Sequence, residues 1–538
     1  MRERARVLET QHWVCSLRQS QLGRSEAMPH ALPMLQLASS SGSAAQRVSQ
    51  WKKFWNGSLN QGRICLRQPM REPLEEGACG NMSAAPPRLI EPLTESPSMA
   101  AGKTTGFLLT SARLRVWGWR SAMSLVDQGL TSGAGFGVNL LLARWMAPEV
   151  YGAFAVAFAG FLFASGFHNV LLLEPMSVMG PARYAEKLNV YFRSQIAVHT
   201  ILVGALSGVL LLCGLVLWRT VPGSPLFGAL MGGALALPFL LLAWLARRMC
   251  YVMQRPALAI QGSALYLGFI AAGFFALAHF ALLSSFTAFV LMGCGSLVSA
   301  CLLLWRLGLL RRELAAPPRV SWRAALQENW TYGRWLVGST VLFSVSTQAQ
   351  TFLAAAFLGL GAAGILRAMQ IPSLVMTQVT TAAGLLVLPA FSFDFGKGSI
   401  ERLRHKAMLV SLGLVVGALC FAGFLALLAG RAEHMLFGGK YSAYAWLMPV
   451  LALIPVCSGF SMGYSMAMRA SQKPHFDLLA NAVAAPVGVG SAICFMHWWG
   501  LAGAAASMVF SFVVAALINF LSYQRYLVNS KVATGTTL

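Results

Sequence analysis

From Leu125 onward the chain alternates long apolar runs with short polar links, and the length of the runs decides what they are. Between Leu125 and Met146 the only charges are Asp127 and Arg144, and about 20 apolar residues suffice to cross a hydrocarbon core as a helix. Pro148 and Gly152 break the run, and Ala153 to Leu173 forms a second of similar length. So short a link makes the two spans antiparallel neighbours. The same reading predicts spans near Ile196–Trp218, from about Leu226 to Arg247-Arg248, after Pro256 to near Phe280, and from about Leu283 to Trp305. After a basic stretch containing Pro317-Pro318, further spans are expected near Trp335–Leu358, Ala362–Phe391, Met408–Gly430, Ala445–Met468, Leu478–Trp498 and Leu501–Tyr523. That makes twelve, with Pro372, Pro449, Pro455 and Pro486 inside spans as expected kinks.

The pattern also repeats. Aligning Gly152 with Gly364, 212 residues further on, sets Tyr151-Gly152 opposite Ala363-Gly364. Leu171-Leu172-Leu173-Glu174-Pro175 matches Leu385-Leu386-Val387-Leu388-Pro389, and Gln254-Arg255-Pro256 echoes Gln472-Lys473-Pro474. Three matches in one order imply a duplicated unit. An even number of spans per half gives both halves one orientation, so their pseudo-two-fold axis runs along the membrane normal. The expected fold is an all-α polytopic membrane protein with two six-helix lobes flanking a cleft.

Composition agrees. The 538 residues are 57% hydrophobic and 11% charged, with mean hydropathy +0.61, far from a soluble domain's charged fraction of about a quarter. A net charge of +23 comes without the basic groove or stacking motif of a nucleic-acid binder. The loops after the even-numbered spans, with the tail, carry 20 Lys or Arg, against four on the opposite side: Arg144, Arg219, Arg431 and Lys440. The positive-inside rule then places both termini in the cytoplasm.

Residues 1–112 read differently, with 14 Lys and Arg up to Arg113 against eight acids and no apolar run of span length. They are expected to be a disordered arm or an over-extended start, with Met99 or Met123 as the alternative first residue. The expected organisation is that arm, a first lobe at 113–305, a cytoplasmic linker at 306–334, a second lobe at 335–525 and a tail at 526–538. None of the ten cysteines stands in zinc spacing. Neither a metal, nor a disulfide, nor a catalytic residue is assigned.

Asp127-Gln128-Gly129-Leu130, Leu142-Ala143-Arg144 and Pro148-Glu149-Val150-Tyr151-Gly152 resemble the opening of the polysaccharide-transporter flippases, in the multidrug/oligosaccharidyl-lipid/polysaccharide (MOP) exporter superfamily. The outer segment Leu436-Phe437-Gly438-Gly439-Lys440-Tyr441-Ser442-Ala443-Tyr444 resembles that family's turn before the tenth span. The resemblance covers roughly Arg120 to Arg525. It implies a MATE-like fold and translocation of a lipid-linked oligosaccharide across the cytoplasmic membrane for polysaccharide, O-antigen or lipopolysaccharide synthesis. The partners would be the bilayer, that glycan and the proteins that assemble it, with no cofactor beyond coupling to protons or another cation. The alternative is a cation-coupled drug or metabolite antiporter of the same fold. A membrane-embedded glycan ligase or polymerase ranks below both.

Polar residues inside spans are the candidate chemistry, because an ionised side chain there costs about 2.5–3.5 kcal/mol on insertion scales. Asp127 reads as a cleft cation site, as a partner for an arginine, or as a group holding the helix end. Arg367, with Gln370 three residues on, reads either as a phosphate fork in the cleft or as a snorkelling cation. Asn139, Gln348 and Gln350 are further substrate or ion candidates, and the last two cannot share a helix face. Arg144 paired with Glu149, together with Gly152, is expected to build the outer turn. Glu174 and Pro175 are expected to end the second span.

Overall fold

The computed structural model describes residues 103–310, 321–396, 400–471, 473 and 475–533. The expected arm up to residue 102, Pro317-Pro318 in the linker, Gln472 and Pro474 of the third repeat match and the last residues of the tail lie outside them.

Every described regular element is helical. In chain order they are α1 Lys103–Trp145, α2 Pro148–Arg183, α3 Leu188–Thr220, α4 Pro225–Val252, α5 Pro256–His279, α6 Ser285–Arg306, α7 Trp322–Leu358, α8 Leu360–Gly396, α9 Ile400–Phe437 and α10 Leu447–Ala470. One last helical run, His475–Ala533, is broken at Gly500, whose φ of 54° turns the chain back. It therefore supplies α11 (475–499) and α12 (501–533). Each predicted span has its helix.

Ten helical stretches among the described residues are long and apolar enough to cross a membrane. α1 is not one of them, because Asp127, Gln128, Asn139 and its glycines dilute its apolar character. Two boundaries differ from expectation. α1 starts at Lys103, ten residues inside the expected arm. α7 starts at Trp322, inside the expected linker, where the Ser321 hydroxyl caps the helix by accepting from Arg323 N at 3.3 Å.

Pro449 and Pro455 flank a break at Ala452, between the two helical pieces of α10. Proline removes a backbone donor on each side of that point. Pro238 sits inside α4, which continues through it. α2 instead carries a π-turn at Asn169–Leu173, an element that tends to mark functional positions.

Packing repeats between the halves. α4 packs on α6 and α3, and α10 packs on α12 and α9, with the Tyr464 ring edge-on to Phe520 and tilted against Tyr523. α1 packs on α5 through Asp127 and Ser263, as α7 packs on α11 where Gly488 meets Gln350. α2 packs on α4 through Phe161 and Trp244, as α8 packs on α10 at Gly384 and Met462. These equivalent pairings are the duplicated unit seen in three dimensions. Association of helices in lipid depends on such close packing, because there is no water to expel.

Candidate functional site

The two lobes meet where the aligned glycines of the repeat touch. A Cβ on Gly152 would lie 1.8 Å from the Leu360 carbonyl oxygen, and one on Gly364 would lie 2.3 Å from the Pro148 carbonyl oxygen. The start of α2 and the start of α8 therefore cross backbone to backbone, with space for a hydrogen alone. This crossing lies on the side away from the basic loops, called the far side below.

The turn between α9 and α10 closes the same side. Gly438 and Gly439 take φ of 73° and 84°, and the buried Glu433 carboxylate accepts from Tyr441 N at 2.8 Å. That folds Lys440 onto the end of α1, where its ammonium donates to the carbonyls of Ala143, Arg144 and Met146. The Tyr441 hydroxyl also donates to Ala143 O, at 3.1 Å. A cation on the last carbonyls of a helix satisfies orphan acceptors and the negative end of its dipole. The two stretches that carry the sequence resemblance thus bind each other.

One expectation fails here. Arg144 does not pair with Glu149: its guanidinium donates to Met435 O at 2.9 Å. Glu149 is exposed, packed beside Gly361 of α8. Both residues tie one lobe to the other instead of closing their own turn.

In the half of the molecule that carries the basic loops, a cavity of about 590 Å³ opens between the lobes. The first lobe contributes Gln128, Asn169, Arg247, Arg248 and Tyr251 to its wall, and the second contributes Gln378 and Thr381. Asn169 opens the π-turn of α2.

Asp127 sits behind this wall, fully buried. Arg247 Nε donates to its carboxylate at 2.7 Å, Ser263 at 2.5 Å, and the Tyr251 hydroxyl donates as well. Arg247 reaches on to Gln128 at 3.2 Å. Of the three readings, the geometry supports the arginine partner: the acid's charge is answered and its oxygens are filled. Arg248, the next residue, makes no ion pair among the described residues.

The other candidates scatter. Arg367 does not reach this cavity. Its guanidinium lies 5.8 Å from the Phe158 ring of the opposite lobe and 3.5 Å from Gln370 Oε1. Asn139 is buried, donating to Gly135 O at 2.9 Å and accepting from the Tyr151 hydroxyl at 3.4 Å, so it joins α1 to α2. Gln348 donates to Thr347 at 3.4 Å. Gln350 is buried against α11 with its Oε1 unpartnered among the described residues. Pro175 is buried, and α2 runs on past it to Arg183, so the pair Glu174-Pro175 does not end the helix. Pro is tolerated there because it stands in the first turn after the π-turn. Glu174 leaves one oxygen buried and unpartnered among the described residues. Arg248 of the first lobe and Arg469 of the second both act on its charge.

At the basic end α7 clamps onto the first lobe. Gln195 and Asn329 exchange amide hydrogen bonds at 2.8 and 3.4 Å. Glu328 accepts from Arg183 at 2.5 Å and from Tyr184 at 3.0 Å. Burial, followed by the bond to Glu328, pushes the Tyr184 hydroxyl above the ordinary tyrosine value.

Sequence reasoning did not select the wall residues Gln128, Asn169, Gln378 and Thr381, nor Arg247, Arg248 and Tyr251 on α4. The signal was available in the helix length: α4 has 28 residues, about 42 Å at 1.5 Å per residue, so its last turns extend beyond the hydrocarbon.

No sequence-family model and no curated protein matches the chain. Solved structures do. An inward-facing multidrug resistance MATE family transporter of the MOP superfamily superposes with a TM-score of 0.65 at 13% identity, over 76% of this chain and 99% of that one. The lipid II flippase MurJ, in an inward closed conformation, superposes at 0.58 and 12% identity, over 75% and 87%. A MOP superfamily transporter from Pyrococcus furiosus, described by the reverse polarity of its binding pocket, gives 0.52 and 15%, over 78% and 95%. With its apolar helices and these neighbours, the chain is a multi-pass membrane protein with the MATE-like fold of MOP superfamily transporters.

Proposed function

We propose that the protein is a flippase of the cytoplasmic membrane that carries a phosphate-anchored, lipid-linked oligosaccharide to the outer leaflet by alternating access. The observation that carries this reading is the inter-lobe cavity, where Arg248, in no ion pair among the described residues, stands beside Arg247 and amide side chains. Asp127 balances Arg247, and among the described residues the wall beside Arg248 is lined by no carboxylate. A guanidinium fork matches a phosphate in shape and charge, and Gln128, Asn169 and Gln378 offer both donors and acceptors to sugar hydroxyls. The drug-antiporter alternative fits less well, since the same wall repels a cationic drug. Flipping a lipid-linked glycan needs no covalent step, in keeping with a transporter and not an enzyme.

Neutralising Arg248 tests the reading. Arg248→Gln is expected to insert normally, because a neutral residue is cheaper to bury. Glycan export per folded molecule should fall about tenfold or more, the weight of one charge-assisted phosphate contact. Normal export per molecule would remove the cavity from the mechanism.

Orientation is tested separately, with both termini proposed to face the cytoplasm. Single cysteines at Ser224 and Ser442, in a cysteine-free background, should react with an impermeant maleimide added outside intact cells. One at Ser321 should not. The reverse pattern would turn the molecule over and assign the cavity to the outer leaflet.

A further inference from the structure

A second basic pocket lies on the back of the first lobe, away from the inter-lobe cavity. It encloses about 490 Å³ between the early part of α1, the turn from α4 to α5 and the end of α6. Its wall includes Arg255 and Arg306 beside Trp119, Met123, Pro256 and Leu258, and no carboxylate among the described residues lines it.

Four other cations at the basic end have acids of their own: Arg183 has Glu328, Arg247 has Asp127, Lys406 has Asp394 and Arg469 has Asp477. Arg255 and Arg306 have no such partner among the described residues. Arg306 instead lies 5.5 Å above the ring of Trp305.

The turn that presents Arg255 is held firmly. Gln254 adopts φ of 55°, Gln254 N donates to Tyr251 O at 2.9 Å, and Arg255 N donates to Cys250 O at 2.8 Å. A non-glycine residue in the left-handed region persists only where its surroundings over-determine it. Trp119 and Trp305 are 65% and 56% exposed, as rings at the level of lipid headgroups are.

We propose that this pocket binds the headgroup of an anionic phospholipid. Its phosphate is held by Arg255 and Arg306, and its glycerol and first methylenes lie against Trp119, Met123 and Leu258. Basic pockets between transmembrane helices suit such headgroups because the charge is answered at the edge of the hydrocarbon while the chains stay in it. The turn that lines this pocket directly follows the last turns of α4, which carry Arg247, Arg248 and Tyr251, so an occupied headgroup site holds the end of α4 that shapes the inter-lobe cavity. The proposal is independent of which substrate crosses.

The test uses the full chain, purified in detergent, stripped of lipid and titrated with phosphatidylglycerol or phosphatidylcholine under native mass spectrometry. The intact protein should retain phosphatidylglycerol in preference to phosphatidylcholine. The double variant Arg255→Gln/Arg306→Gln should lose about fivefold of that preference per arginine, with an unchanged melting temperature. Arg255→Lys/Arg306→Lys keeps the charge at a solvent-accessible site and should retain most of the preference even if the neutral variant folds poorly. Inorganic phosphate is the third probe. Equal retention of the two lipids, an unchanged preference in the neutral variant, or binding of inorganic phosphate with no lipid preference would each overturn the proposal.

Discussion

A valine at position 152 is expected to stop transport and to leave the far side of the molecule open. The Cβ of any residue there would meet the Leu360 carbonyl oxygen at 1.8 Å, well inside contact distance, and a backbone carbonyl cannot swing away as a side-chain end does. The starts of α2 and α8 must then separate. Overpacking costs about 1–3 kcal/mol, and 3 kcal/mol applied to one of two states shifts their ratio about a hundredfold. The lobes themselves should survive, since α2 also packs along α4 and α8 along α10. A cysteine replacing the partly buried Gln370 should react faster with an impermeant maleimide when Gly152 is replaced by Val than in the parent. Gly364→Val should do the same, because its Cβ would strike Pro148 O at 2.3 Å. Parental transport with no faster labelling would show that the crossing is not a gate.

That crossing marks where the sequence stopped being readable. Aligning Gly152 with Gly364 identified equivalent positions in two copies of a unit, but an alignment carries no information about whether the copies touch. The spans were legible because a bilayer demands one length and one polarity of every helix that crosses it. Even α1, diluted by Asp127 and Asn139, has its helix at the predicted place.

Charge pairing was not legible, since partners are chosen by tertiary packing: Asp127 and Arg247 stand 120 residues apart. Sequence proximity proposed Arg144 with Glu149, and the helix axis instead sends Arg144 to Met435. Arg247 and Arg248 entered the sequence argument only as loop charge that sets orientation. On a helix of that length the same residues can fix orientation and face a cavity. Arg367 was the reverse case, a cation about a turn inside the outer end of a predicted span, and it rests on Phe158 outside the basic cavity.

Removing Arg247 should harm the protein more than removing Asp127, although both changes break one ion pair. Asp127 is completely buried, whereas the Arg247 side chain is 23% exposed at the cavity wall. Arg247→Gln therefore leaves a carboxylate in a dry site with only Tyr251 and Ser263 as donors, and stripping a partner from a buried pair costs about 3–5 kcal/mol. Asp127→Asn leaves a guanidinium that still bonds Gln128 and can turn toward water in the cavity, so its cost should be smaller, about 1–3 kcal/mol. The double variant Asp127→Asn/Arg247→Gln removes both charges and should recover part of the loss seen in Arg247→Gln alone. Melting midpoints of the three proteins in one detergent measure this order directly. Export per folded molecule then separates structure from transport. If Asp127 only anchors Arg247, the double variant regains export in step with its stability; if it is a coupling site, export stays lost while stability returns. Equal destabilisation by both single changes, with no recovery in the double variant, would mean that the pair is not a coupled unit.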